Sequence, residues 1–440
     1  MRRLSFLLIL LLVLAACTSA DDDTNDVDSP TPAPTEVVDE SPPDPTPTPE
    51  PTPTATPEPE DDAAWAELDA FVDQVVQNVV ELRGLELLEE LQFALMTREE
   101  LTEMLEEEIE FDQSDVDLYW IFRLFDDRDL DLERLMIDVQ AADIYGFYDT
   151  ESKETYLIAE DPELNAMEEV FLAHEITHAL QDQHFDLGRL DDESSDYDRF
   201  NALLAMVEGD AVLTQELYAQ EYLDDERRME YMREAMAAVQ DEAANAALDA
   251  LPAYLIESLS FPYVAGPMFM VQVFDGELNS LDEHLQNPPA STQQVMNPAA
   301  YLRGDIADPV EVEIPDILDR LGDGWSLYDK GTIGVFDLTI MFEENGVPDP
   351  DDVLEWWNGS TFAMYEDGED VVGIIASVWA DEARAADFEA MLVETMADYS
   401  QEDGIWMGDG RFHTIIVDGA NVTLKSASSE EALLNAAQLN

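Results

Sequence analysis

Two of the five histidines in this chain stand four residues apart, in the run His174-Glu175-Ile176-Thr177-His178. On a helix, residues with this spacing lie one above the other on the same face, so both imidazoles can bind one zinc ion. Glu175 lies about 100° around such a helix, where its carboxylate can reach a water molecule on the ion. The spacing therefore predicts a metal, a general base and hydrolytic chemistry. The alternative is a pair of histidines that cap or pack inside an ordinary helix.

A third ligand is predicted at Glu208, in a downstream segment of helical length. Catalytic zinc has three protein ligands and one open position. Glu208 lies in the stretch 201–211, which apolar residues dominate, and a buried carboxylate normally needs a partner such as a metal. The adjacent Gly209 lowers helix propensity by about 1 kcal/mol relative to alanine, which a close approach of two helices would explain. The alternative is a surface glutamate on a less buried helix.

The run His-Glu-Ile-Thr-His-Ala-Leu-Gln-Asp at positions 174–182 resembles the active-site helix of thermolysin. Together with a glutamate on a second helix, it is similar to the gluzincin type of zinc metallopeptidase. The resemblance implies Zn2+ as the cofactor and His174, His178 and Glu208 as its ligands. It also implies that Glu175 is the general base, which takes a proton from the attacking water and delivers it to the leaving amine.

Two further positions bear on this resemblance. Gluzincins often have an aspartate four residues after the ligand glutamate, as a partner for a zinc histidine, whereas this chain has Val212. Asp182, one turn beyond the second motif histidine, is predicted to be that partner instead; the alternative is an ordinary exposed aspartate late in a helix. The segment 291–298 also resembles a recurring part of uncharacterised bacterial lipoproteins with the same motif, in which histidine often stands where this chain has Asn297.

Other residues near the motif are assigned narrower roles. His184 lies about 240° around the helix from the second motif histidine, so it is predicted to support the site without binding the metal. A donor to the reaction's oxyanion is expected, with Tyr218 and Tyr222 as candidates. The aromatic and β-branched segment 144–158 predicts a hairpin. Its strand Tyr156–Ile158 is proposed as the sheet edge to which an extended peptide adds; alternatively, the hairpin only packs on the helix.

The N-terminal segment predicts export and a lipid anchor. Residues 1–16 contain two arginines, an apolar run too short to span a bilayer and a small-residue end, as in a secretory signal peptide. The run Leu14-Ala15-Ala16-Cys17 resembles a bacterial lipobox, which implies cleavage before Cys17 and lipid attachment to its thiol. Cys17 is the only cysteine, so no internal disulfide is expected. The alternative is a plain signal peptide with an incidental cysteine.

Composition separates a tether from the rest of the chain. Residues 17–62 are predicted to be an acidic, disordered tether, because proline and threonine alternate with acidic residues and no apolar periodicity exists. Such a segment would hold a folded part away from the membrane. Over the whole chain the net charge is −83, with 102 acidic and 19 basic residues. This acidity disfavours nucleic acid and anionic lipid headgroups as partners.

The remaining chain predicts an α+β protein with two units. Residues 63–310 are expected to form a mainly helical, zincin-like metallopeptidase domain, in which Thr97 opens one helix through a capping box. Residues 311–440 are expected to form a small α+β domain, with a ferredoxin-like arrangement as one option. The strands and helices predicted there are Thr361–Tyr365, Val371–Val378, Asp381–Tyr399, Thr414–Val417 and a helix after Ser429.

Two classes of function follow from these predictions. The first is a surface-anchored zinc metallopeptidase that acts on a peptide or protein substrate. The second is a non-catalytic, zinc-containing surface lipoprotein that acts as a binding module. The presence of Glu175 favours the first class, because a structural zinc does not need that base and is usually closed by four ligands.

Overall fold

The computed structural model describes residues 7–11, 59–190 and 196–438, and the side chains of residues 63–190 and 196–438. Cys17 and residues 17–58 of the predicted tether lie outside the described residues, as does most of the predicted signal peptide. The first described helix begins at Pro59, so residues 59–62 of the segment assigned to the tether are helical.

The described chain is a mixture of helices and strands, which confirms the α+β class at a coarse level. The α-helices are α1 Pro59–Arg83, α2 Arg98–Glu108, α3 Gln113–Ile121, α4 Leu132–Asp143, α5 Ala166–Phe185, α6 Tyr197–Glu221, α7 Asp225–Val239, α8 Glu242–Asp249, α9 Ala253–Val273, α10 Asp282–Gln286, α11 Thr292–Met296, α12 Pro298–Leu302, α13 Leu318–Leu321, α14 Val335–Glu344, α15 Asp351–Leu354, α16 Glu382–Glu394 and α17 Glu430–Ala437. A short 3-10 helix spans Leu278–Leu281. The strands are β1 Leu7–Leu11, β2 Gln92–Met96, β3 Ile144–Asp149, β4 Glu154–Ile158, β5 Ser326–Gly331, β6 Trp357–Glu366, β7 Val371–Trp379, β8 Ser400–Glu402, β9 Ile405–Gly408, β10 Arg411–Asp418 and β11 Asn421–Ala427. Among the described helices, none is both long enough and apolar enough to cross a membrane.

The first sheet has the strand order β1-β3-β4-β2. Strands β3 and β4 form the predicted antiparallel hairpin, which is confirmed with Phe147 opposite Tyr156. Strand β2 pairs in parallel with the other side of β4, and β1 pairs with the outer side of β3. The prediction that Tyr156–Ile158 is a sheet edge is therefore wrong, because a strand from far upstream in the chain covers it.

Helix α5 packs against α1, α6, α7 and both strands of the hairpin. Its first turn is a capping box: the Asn165 side chain accepts hydrogen bonds from the backbone of Met167 and Glu168, and the Glu168 carboxylate accepts one from the backbone of Asn165. Almost every residue from Ala166 to Asp182 is buried. A helix enclosed in this way holds each of its side chains in a fixed direction.

Helices α6 and α9 cross with their backbones in contact at Gly209 and Gly266. A Cβ atom on Gly209 would lie 2.5 Å from the carbonyl carbon of Gly266, and a Cβ on Gly266 would overlap the carbonyl oxygen of Ala205. The predicted close approach of two helices at Gly209 is therefore confirmed. Because Glu208 is the adjacent residue, this crossing also sets the position of its side chain.

The second sheet is antiparallel, with the strand order β5-β6-β7-β11-β10-β9-β8. The three predicted strands lie within β6, β7 and β10, and the last helix begins after its N-cap Ser429. Helix α16 ends at Glu394, earlier than predicted. Helix α16 connects β7 and β10, which run parallel with β11 between them, as in a split βαβ unit. The ferredoxin-like option for the whole domain stays a prediction.

The helical part and the second sheet share a buried core. Leu118, Ile121 and Phe122 on and after α3 pack in one apolar cluster with residues of β6, β7 and β11. Arg411 on β10 donates hydrogen bonds to the carbonyl oxygen of Trp120 at 2.7 Å and to a more exposed aspartate at 2.6 Å. The division of the chain at residue 310 is thus crossed by buried contacts and stays a prediction.

Candidate metal centre

Helices α5 and α6 bring His174, His178 and Glu208 together in the interior. The Nε2 atoms of His174 and His178 lie 2.9 Å apart, and Oε2 of Glu208 lies 3.2 Å and 3.4 Å from these two nitrogens. All three residues are at most 1% exposed. Within the part of the chain that the structure describes, this is the one group of histidine, cysteine and acidic side chains that meets at metal-binding distance.

Two glutamines hold the imidazole rings by their other nitrogens. Nδ1 of His178 lies 2.9 Å from Oε1 of Gln181, and Nδ1 of His174 lies 3.0 Å from Oε1 of Gln215. The amide nitrogen of Gln181 donates to the carbonyl oxygen of Val207 at 2.9 Å, so the amide oxygen is the atom that faces His178. Because an amide oxygen only accepts, each Nδ1 carries a proton. Nε2 of each ring is thereby directed to metal binding.

The three inward-facing atoms fit a divalent cation. With both histidines neutral, two imidazole lone pairs and a carboxylate oxygen converge, and such a set is repulsive without a positive charge. Ligands about 2.0–2.1 Å from a tetrahedral zinc ion lie about 3.3 Å from one another, close to the 2.9 to 3.4 Å separations in this group. Two imidazoles and one carboxylate are also a ligand set of catalytic zinc.

In the absence of a metal, a proton supplies part of this positive charge. Burial lowers the pKa of His178, but the Glu208 carboxylate outweighs burial and raises it to about 9. Burial would raise the pKa of Glu208, but the charge of His178 and hydrogen bonds from both histidines lower it to about 2. Burial lowers the pKa of His174, which keeps that ring neutral. The proton on Nε2 of His178 therefore competes with a metal for the same position.

Metal affinity is expected to rise with pH for this reason. The pKa of His178 is about 9 without a metal, so binding displaces one proton and the affinity should rise about tenfold per pH unit from about pH 6 to 8. The rise should level off above this pKa, where the proton is already lost. Zinc dissociation constants from chelator competition measure it, with His184→Ala as a control that keeps the slope. An affinity independent of pH would show that no proton is displaced.

Glu175 is buried close to this group. Neither oxygen accepts a hydrogen bond of ordinary geometry from a described residue. Gly146 on β3 makes room for the side chain, because a Cβ there would lie 3.0 Å from Cγ of Glu175. Burial raises the pKa of Glu175 well above its ordinary value, and the charge of His178 and the backbone of Tyr148 offset only part of this. A carboxylate so placed can act on a water molecule at the metal.

Asp182 contacts neither motif histidine, so its predicted role as their partner is wrong. Its carboxylate accepts hydrogen bonds from the hydroxyl of Tyr148 at 2.7 Å and from the backbone of Leu187 at 3.0 Å. It also pairs with Lys153 at 2.7 Å. Gln181, the preceding residue, takes the place beside the second histidine. Asp182 instead ties α5 to the β3–β4 hairpin.

The predicted oxyanion donors also lie away from the metal-binding group. The hydroxyl of Tyr218 donates to Glu169 at 2.9 Å, and the ring of Tyr222 stacks on that of Tyr218. At about 1.5 Å per residue, Tyr218 lies about 15 Å along α6 from Glu208, so both predictions are wrong. His184 contacts the backbone carbonyl oxygen of Glu86, shortly after the end of α1, at 2.7 Å, so it does not face the group.

The segment that resembles the bacterial lipoproteins anchors the start of α6. The backbone of Thr292 donates to the buried carboxylate of Asp198 at 3.0 Å. The Asn297 side chain donates to the carbonyl oxygen of Gln293 at 3.1 Å. In this structure the segment is therefore a structural link between α6 and α11.

Sequence reasoning missed Gln181, Gln215 and Asp210. Asp210 accepts a hydrogen bond from Gln181 at 2.8 Å and pairs with Arg83 at 2.9 Å, with both charged side chains fully buried. Asp210 had a readable signal, because it is a second acid in the apolar stretch around Glu208 and needs a partner there. The two glutamines had none, since an uncharged amide is ordinary on any helix face.

Comparisons of the chain with protein-family models, with curated proteins and with solved structures found no match. The likeness to gluzincins therefore depends on the motif residues, and the function has to be argued from the geometry of the metal centre.

Proposed function

We propose that the protein is a zinc metallopeptidase that hydrolyses peptide bonds in a peptide or protein substrate. The observation that carries the proposal is the buried carboxylate of Glu175, which makes no hydrogen bond of ordinary geometry with a described residue, close to His174, His178 and Glu208. A structural metal site needs no such carboxylate and is usually closed by four ligands. A zincin-like fold is part of the proposal, supported by two ligand helices that pack together, with α5 against the β3–β4 hairpin.

The residues of the chain have separate roles in this reaction. His174, His178 and Glu208 would hold Zn2+, which supplies Lewis-acid polarisation of the substrate carbonyl and lowers the pKa of water. A carboxylate oxygen of Glu175 accepts the proton of the attacking water and then gives it to the leaving amine.

The proposed place of action is the outer surface of the cell, through a lipid on Cys17. This part of the proposal is supported by the apolar segment of residues 1–16 and by the single cysteine directly after it. The proline-rich and acidic segment that follows would separate the enzyme from the lipid surface.

A second function, a non-catalytic zinc-containing lipoprotein that binds a partner, has one observation in its favour. His174, Glu175, His178 and Glu208 are all at most 1% exposed. A peptide can therefore reach Glu175 only after the surrounding elements open, whereas a binding module needs no such opening. Bound zinc without hydrolysis of any peptide in a broad library would favour this second function.

Replacing His174 with alanine is expected to remove both metal binding and hydrolysis. The change deletes one of three ligands, so zinc affinity should fall by more than the roughly 10–100-fold that loss of an outer partner costs. Zinc content and cleavage of a mixed peptide library measure the two effects. His284→Ala is the matched control, because His284 packs against the ring of Phe269, and it should retain both. Wild-type protein that binds no added zinc would contradict the proposal.

A further inference from the structure

A buried ion pair stands behind the glutamine that orients His178. The amide nitrogen of Gln181 donates to Asp210 at 2.8 Å. Nε of Arg83 lies 2.9 Å from the carboxylate of Asp210, and Nη2 of Arg83 donates to Asp282 at 2.7 Å. A continuous chain of contacts thus leads from Nδ1 of His178 to Asp282.

Fold stability is a poor explanation for this ion pair. The Arg83 and Asp210 side chains are fully buried, and the desolvation of two buried charges often cancels their attraction. Apolar side chains of similar volume frequently stabilise a fold equally well. In addition, Nη1 of Arg83 is buried without a hydrogen-bond partner among the described residues. Orientation of a neighbouring group is a role that such an ion pair can have instead.

Asp210 decides, together with the carbonyl oxygen of Val207, which way the amide of Gln181 faces. A carboxylate only accepts hydrogen bonds, so it holds the amide nitrogen and turns the amide oxygen towards Nδ1 of His178. With the amide reversed, its nitrogen would donate to Nδ1, and the proton of the ring would then sit on Nε2, where a metal binds. Arg83 keeps the Asp210 carboxylate in place for this task.

Arg83 also connects the metal centre to distant parts of the chain. It is the last residue of α1, which begins within the last residues of the predicted tether. Asp282 begins α10, directly after the 3-10 helix. The end of α1 therefore docks through the same contacts that orient His178.

We propose that Arg83 is a positioning residue of the metal centre, acting through Asp210 and Gln181, and that docking of α1 and metal binding are coupled. The proposal rests on the metal-binding part of the proposed function and is independent of peptide hydrolysis. Coupling between two sites is reciprocal, so zinc strengthens the docking of α1 by the factor by which docking strengthens zinc binding.

The test measures zinc affinity and amide hydrogen exchange in the full chain. Arg83→Met keeps a long unbranched side chain without its charge and is expected to lower zinc affinity about 10–100-fold. Zinc should slow exchange in the last turns of α1 in the wild type, and R83M should lose this response. Arg227→Met is the matched control, because Arg227 pairs with Glu169 on α5 at 2.6 Å, and it should keep wild-type affinity and response.

A second variant covers the case in which R83M does not fold. Asp282→Asn weakens only the outer contact of Arg83, at a side chain that is 28% exposed, and should reduce both the zinc affinity and the exchange response of α1. Folded R83M or D282N with wild-type affinity and response would overturn this proposal and leave the metallopeptidase standing. Wild-type protein that binds no zinc would overturn both.

Discussion

Replacing Glu175 with glutamine is expected to lower kcat/KM for peptide hydrolysis about 10³-fold and to leave the zinc content unchanged. A positioned acid–base group contributes about 10²–10⁴-fold, and an amide neither accepts nor delivers the proton. The metal is unaffected because Glu175 is not one of the three converging side chains. Initial rates on a cleaved peptide and zinc content of the same samples measure the two effects.

Glu168→Gln is the matched control for this experiment. It makes the same chemical change on the same helix, at a capping-box position that accepts glutamine. Its rate should stay close to that of the wild type. A Glu175→Gln rate above about a tenth of the wild-type rate, well outside the contribution of a general base, would contradict the assigned role.

The same variant carries a second expectation, on stability without metal. Burial raises the pKa of Glu175 well above its value in the unfolded chain, so the folded protein binds this proton more tightly. The free energy of unfolding contributed by Glu175 is therefore highest below its unfolded pKa and falls as pH rises through its folded pKa. Glutamine lacks this dependence. Urea unfolding at several pH values should show the free energy of unfolding of Glu175→Gln rising relative to that of the wild type as pH rises. A difference in unfolding free energy that stays constant with pH would contradict this expectation.

Replacing Gly209 with alanine is expected to destabilise the protein by about 3 kcal/mol and to weaken zinc binding. Its Cβ would lie 2.5 Å from the carbonyl carbon and 2.6 Å from the carbonyl oxygen of Gly266. Backbone atoms cannot rotate away, so α6 and α9 must separate, and overpacking costs about 1–3 kcal/mol or occasionally more. Glu208, the preceding residue, would move with α6. Chemical unfolding and chelator competition measure the two effects.

A loss of stability in Gly209→Ala would distinguish a close contact of α6 and α9 from an ordinary helix position. In an ordinary helix interior, glycine to alanine stabilises by about 0.5–1 kcal/mol. Gln220→Ala, at an exposed position of the same helix, is the control and should change stability by less than about 0.5 kcal/mol. A Gly209→Ala protein at least as stable as the wild type would show that the helices do not touch at this point.

Those parts of the site that depend on local pattern could be predicted from the sequence. The spacing of His174 and His178 requires a helix, and α5 provides it. Glu208 and Gly209 stood out because each is unfavourable in an apolar helix unless something compensates. The structure explains both residues. Two histidines lie within 3.4 Å of Glu208 and offset the cost of burying its charge, and the backbone of Gly266 lies against Gly209, where a larger residue would not fit.

The choice among distant partners could not be predicted in this way. Asp182 and Gln181 are adjacent on the same helix, and only the position of α6 decides that Gln181 faces the second histidine. The edge of the first sheet was misplaced because nothing in the hairpin sequence reveals that β2 pairs with β4. Likewise, the strand order of the second sheet depends on pairing between segments far apart in the chain, which periodicity does not encode.

The burial of the candidate metal centre affects how fast a metal ion enters and leaves, as well as how tightly it binds. Because His174, His178 and Glu208 are at most 1% exposed, an ion enters or leaves only while the surrounding helices are locally open. The residence time of a bound ion is then set by how often that opening occurs. The metal carried by a molecule would therefore record which ion was present when the chain folded, and not which ion binds most tightly at equilibrium.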